Sequence, residues 1–175
     1  MNTHPHPTRL TGSHFADADA AKRAIAMALP MIEAAMSDPE VCGSGFLYIV
    51  VMDPGLYPGE VDFSEAVLHE HAIGDRSRWD ADYAGFARGK ARLSWQHGVG
   101  SHEIQSGRTH ALRHGDSVLW GSVHLDGIVV GVSGAHPWFD EAFATAIAAN
   151  LRAIAKQRHA AALAAGHWVA GGPEA

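Results

Sequence analysis

Apolar and polar positions alternate along this chain with two distinct periods, and the changes between them mark its elements. From about Phe15 to Met36 apolar residues recur at helical spacing, rich in alanine and methionine, so a first helix is predicted there; Ser13 is its expected cap and Pro30 its kink or break. Phe46 to Met52, FLYIVVM, is a continuous apolar run between Gly45 and Asp53-Pro54-Gly55, the pattern of a central strand buried on both faces. Phe63 to His71 reads as a short helix. Trp79 to Gln96 reads as a longer amphipathic one, with Tyr83, Phe86, Ala87, Lys90, Ala91, Leu93 and Ser94 toward one side and Gly98 as its stop. Residues 98 to 107 read as loop or edge strand, and His110 to His114 as one helical turn.

The last third is the most informative. Residues 117–125 and 128–133 are rich in β-branched side chains and flank Asp126-Gly127, a pair that tolerates the positive φ angles of a two-residue hairpin. A corner, Gly131-Val132-Ser133-Gly134, leads into a helix running from Trp138 to about Ala165. Pro137 suits its first position, Asp140 and Glu141 oppose the positive end of its dipole, and Gly166 ends it. A strand entering a helix N-terminus through glycines also leaves backbone N–H groups open to an anion, although tight turning alone accounts for the same glycines. The expected fold class is α+β: a mainly antiparallel sheet with helices packed on it and a long C-terminal helix. The expected organisation is one domain over residues 13–166, between a disordered tail at 1–12 and a flexible one at 167–175.

Composition narrows the function classes. The chain has 175 residues and a formal charge of −6, which disfavours nucleic acid as partner because phosphate binding needs a dense basic surface. Cys42 is the single cysteine, so no internal disulfide is available. Ala24 to Met36, interrupted by Pro30 and Glu33, is too short to span a bilayer, and the first residues lack an apolar signal core; the expectation is a soluble cytoplasmic protein with no membrane partner. Thirteen histidines raise the prior for metal or haem ligation, although a chain sparing with lysine also carries histidine as ordinary surface polarity.

The hairpin at Asp126-Gly127, the Gly131-Val132-Ser133-Gly134 corner, the nearby Pro137 and the Asp140-Glu141 pair together resemble the signature of the GlcG-like, haem-binding-protein family, which also supplies the C-terminal domain of PduO-type corrinoid adenosyltransferases. Gly43-Ser44-Gly45 before Phe46 to Asp53 resembles that family's first strand, and Phe86 to Ala91 its mid-helix lysine-alanine pair; the likeness covers about residues 20 to 160. It departs at Pro54 to His71 and Asp75 to Trp79, and the distance from turn to corner is shorter than usual. The resemblance implies a layered, profilin-like domain that self-associates as a dimer or larger assembly and binds a small molecule, in some members haem or another tetrapyrrole.

Candidate ligand-binding residues follow, each with a plainer alternative. Lys90 matches the family's lysine and would pair with a carboxylate or haem propionate, or else snorkel to solvent. His136 and His97 are candidate axial ligands, or helix-end residues with no further role. Ser133 and the N–H groups near Gly134 would hold an anionic group, and Trp138 would stack on a planar ligand or seal an interface. His110 and His114, four apart, suit a zinc or nickel ion if other ligands join them, and would make the protein a metal-assisted lyase, isomerase or hydrolase. His69-Glu70-His71 lacks the H-E-x-x-H spacing, and Ser133 is not in a nucleophile elbow. The remaining alternative is a non-catalytic oligomeric accessory protein. Whether the chain is an enzyme stays open at this point.

Overall fold

A computed structural model describes residues 11–171. Four strands form one antiparallel sheet in the order β2-β1-β4-β3, from β1 (Leu47–Met52), β2 (Val67–Ile73), β3 (Ser122–Leu125) and β4 (Ile128–Ser133). The helices α1 (Ala18–Met36) and α4 (Pro137–Ala164) cover one face, and α2 (Tyr83–His97) covers the other. A short helix, α3 (Ser101–Gly107), follows α2. The α+β expectation holds.

Strand β1 is buried at every position, as its unbroken apolar run requires. Its residues point alternately to the two layers. Leu47, Ile49 and Val51 join Ile128, Val130 and Val132 against α1 and α4, while Tyr48, Val50 and Met52 join Val129 against Tyr83, Ala84, Ala87 and Ala91 of α2. Alanines on the facing sides of α1 (Ala20, Ala21, Ala24, Ala28) and α4 (Ala144, Ala148) let those two helices pack closely in the same cluster. At Gly131 of β4 the sheet meets α2 so tightly that a Cβ would lie 2.6 Å from the Ala87 carbonyl oxygen and 2.7 Å from the Ala91 Cβ.

Several expected elements differ. Residues 63–71 do not form a helix; the chain turns at 63–65 and then runs as the edge strand β2, where Val50 pairs with Glu70 and Ile49 with His71. Leu68-His69-Glu70-His71 is locally as compatible with helix as with strand, and pairing to β1 decides it. Residues 101–107 are helical rather than loop or edge strand. The ladder of the second hairpin begins at Ser122, five residues later than expected, and Phe86 of α2 lies 40% exposed rather than inward. The cap of α1 is Asp17, whose Oδ1 accepts the Ala20 N–H at 2.8 Å; Ser13 Oγ accepts the Ala16 N–H just before it. That helix runs on through Pro30.

The predicted terminal tails fall mostly outside the described residues. Within them, the Ser13 N–H donates to Asp53 Oδ1 at 2.8 Å, tying the entering chain to the end of β1. After α4, His167 donates its N–H to the Ala162 carbonyl at 2.9 Å, and the segment to Gly171 lies against His14 and Phe15.

Candidate functional site

Helix α2 places Lys90 on its buried side, in line with Ala87, Ala91 and Ser94. From there the side chain passes the end of β4 to the first turn of α4, on the far side of the sheet. Its ammonium donates to Asp140 Oδ2 at 2.7 Å, to the Val132 carbonyl at 3.0 Å and to Ser133 Oγ at 3.2 Å, so all three protons have acceptors. Lys90 is 2% exposed and Asp140 1%. The backbone of Gly121 lies over the pair, where a Cβ would sit 3.1 Å from Lys90 Nζ.

Serines secure the surrounding backbone. Ser122 donates to the Lys90 carbonyl at 2.7 Å and shares a hydrogen bond with Ser94 at 2.8 Å. Ser101 Oγ accepts the N–H groups of Gly121 and Ser122, each at 3.0 Å, and donates back to the Ser122 carbonyl. Burial dominates the electrostatics. Desolvation pushes the Asp140 carboxyl up to about 6 against the opposing pull of Lys90 and the corner N–H groups, and it lowers the Lys90 ammonium against the pull of Asp140.

The glycine corner is filled from within. Asp140 Oδ1 accepts the Ala135 N–H at 3.0 Å, and the His136 N–H goes to the Val41 carbonyl at 3.0 Å. The anion at this corner is therefore the protein's own carboxylate. Gly134, at φ +143°, is held where a Cβ would lie 2.0 Å from the Phe46 carbonyl oxygen, and its own carbonyl accepts the Ser44 hydroxyl at 3.1 Å. Lys90, Ser133 and Gly134 thus come together around Asp140 rather than around an open pocket. Sequence reading assigned Asp140 only to the helix dipole. The available signal was a lysine on the apolar side of α2, which has to find an acid.

The other candidates separate from this cluster. His136 precedes α4 and makes no side-chain capping bond; its exposed imidazole lies nearly parallel to the Trp138 indole, at 12° and 5.2 Å between centroids. Trp138 is 57% exposed, so the two rings form an open ledge at the start of α4. His97 sits at the C-terminal end of α2, where its Nε2 is buried without a hydrogen-bond partner among the described residues. It is not on the ledge.

The zinc or nickel reading loses its geometry. His110 lies in a three-residue 3-10 turn, Thr109–Ala111, and Leu112 is already extended, so His110 and His114 do not share a helical face. Among the described residues no group of three or more histidine, cysteine or acidic side chains is placed to hold a metal ion. Likewise, among the described residues no helix is long and apolar enough to cross a membrane.

No protein-family model matches the chain, and no curated protein matches its sequence. Solved structures do resemble it. The Klebsiella pneumoniae protein ORFY, described by the family model DUF336, superposes with a TM-score of 0.50 at 18% identity, over 87% of this chain and 99% of that one. HbpS superposes with a TM-score of 0.49 at 22% identity, over 84% of this chain and 97% of that one. The likeness to ORFY is one of fold, across nearly its whole length.

Proposed function

We propose that this chain is a divergent member of the GlcG-like family that binds a flat, anionic small molecule, haem or a related tetrapyrrole, on the ledge formed by His136 and Trp138. One observation carries the reading: an exposed imidazole, free of any side-chain hydrogen bond among the described residues, lies parallel to an exposed indole at a helix N-terminus. An imidazole nitrogen without a hydrogen-bond partner is free to ligate haem iron, and the indole packed on that ring would hold it in place and add apolar contact. Haem, when bound, supplies the iron that the imidazole would ligate. His136 would hold the group and Trp138 would orient it. The likeness of the Gly131–Gly134 corner to the family signature and the fold shared with ORFY support the assignment.

The inward network has a different part in this reading. Lys90, Ser133 and Asp140 fix the corner from which the ledge projects, and they meet no ligand themselves. Because the ledge is open on its outer side, a second copy of the chain facing it would cover the ligand, which makes a dimer the working assembly. Haemin titration tests the reading: the wild type should give a Soret band that His136→Ala shifts or abolishes. An unchanged spectrum in the variant removes His136 from the site. The metal-assisted enzyme finds no comparable support, since His110 and His114 lack both a shared face and further ligands.

A further inference from the structure

On the outer side of α2, away from the ledge, Arg92, Trp95 and Gln96 form one wall of a cavity of about 380 Å³. Asp62 and Phe63, from the loop before β2, and Arg113, from the segment after the 3-10 turn, complete its lining. That volume lies within the range of small-molecule sites. Its walls combine two kinds of chemistry. Phe63 and Trp95 meet edge to face at 6.0 Å and 67°, and Trp95 is fixed by its indole N–H, which donates to the Leu56 carbonyl at 2.9 Å. The two guanidiniums supply the charge.

Neither guanidinium is neutralised by a carboxylate inside the cleft. Lys22, Arg88, Lys90, Arg108, Arg152 and Arg158 each hold a carboxylate. Among the described residues Arg92 and Arg113 pair with none, although Asp62 lines the same cavity and the chain carries an excess of acids. Two arginines held in one cleft without a counter-ion present a fork geometry suited to a carboxylate or phosphate group. The aromatic wall suits a planar body attached to it.

We infer that the cleft between Arg92, Arg113, Phe63 and Trp95 binds a small aromatic oxyanion, with the guanidiniums on the carboxylate or phosphate and the rings against the planar portion. This site is independent of the ledge and survives if haem does not bind. Calorimetric titration of the full chain at low ionic strength with phenyl phosphate, benzoate and inorganic phosphate tests it. Saturable binding of phenyl phosphate or benzoate is expected, and whichever binds more tightly identifies the oxyanion. Inorganic phosphate should bind roughly tenfold more weakly for want of the stacking contact. Arg92→Gln and Arg113→Gln are both exposed and should fold; each should weaken binding by about tenfold or more, the loss expected for one charge-assisted contact. Arg78→Gln, an exposed arginine outside the cleft, should leave affinity unchanged. The inference is overturned if neither aromatic anion binds, if inorganic phosphate binds as tightly as phenyl phosphate, or if Arg78→Gln weakens binding as much as the cleft variants do.

Discussion

The ammonium of Lys90 stands 2.7 Å from Oδ2 of Asp140, joining two helices that lie on opposite faces of the sheet. Neither residue is appreciably exposed, so removing one strands the other in a medium that solvates charge poorly. Lys90→Ala should therefore destabilise the fold by about 3–5 kcal/mol, read from chemical denaturation. The double variant Lys90→Met, Asp140→Leu should recover most of that loss. A double variant as unstable as the single one would show that shape, not charge, governs this position.

The Asp140 carboxyl gives a prediction with a definite sign. Its pKa in the folded chain is about 6, above the ordinary value of 3.8, so the native state keeps a proton that the unfolded chain has lost. Its contribution to stability is complete below about pH 4 and is lost as pH rises through about 6. Asp17 runs the opposite way: the Ala20 N–H lowers its pKa, so its contribution is present above 3.8 and is lost as pH falls. Carbon-detected NMR of the side-chain carboxyls should find Asp140 titrating near pH 6, after Asp17. A midpoint for Asp140 below 4 would contradict the dominance of desolvation.

Gly134→Ala should cost at least about 3 kcal/mol or prevent folding, because the new methyl meets the Phe46 carbonyl in a conformation that side chains avoid. Gly131→Ala should also destabilise, since the backbone of α2 blocks it. Gly107→Ala is the control: nothing lies within 4 Å of its added Cβ, and helix propensity favours alanine by about 1 kcal/mol or less. Thermal melts of the three variants should fall in that order of damage.

His136→Ala should leave stability within about 0.5 kcal/mol of wild type, as befits an exposed side chain with no capping bond, while removing haemin ligation. Trp138→Ala should weaken haemin binding without changing the iron ligand, so the Soret position should persist at lower affinity. A large loss of stability in His136→Ala would mark the ledge as structural instead.

Much of the sheet was legible because its signals are local. The apolar run of β1, the Asp126-Gly127 turn and the proline-led start of α4 each state their geometry within a few residues. Strand β2 was not, since Leu68 to His71 adopts a strand only by pairing with a partner some twenty residues away. The site divides the same way. Lys90, Ser133 and Gly134 could be named from local pattern and likeness, whereas Asp140 as their centre depends on contacts 50 residues apart in the chain. The cleft at Arg92 and Arg113 gave no signal, because two arginines far apart in sequence acquire meaning only when the fold brings them to one cavity.

The bonds that Lys90 makes to β4 also bear on how the strand chooses its alignment. Moving β4 by one residue along β1 would turn its apolar side chains to the wrong layer, but moving it by two would not, since Ile128, Val130 and Val132 are nearly interchangeable. Greasy contacts alone would tolerate that misalignment. The Lys90 ammonium would not, because Val132 O and Ser133 Oγ would leave its reach, and Gly131 would no longer face the alanines of α2. A buried charge and a missing side chain thus proofread the pairing, rejecting a mispaired sheet that hydrophobicity would accept.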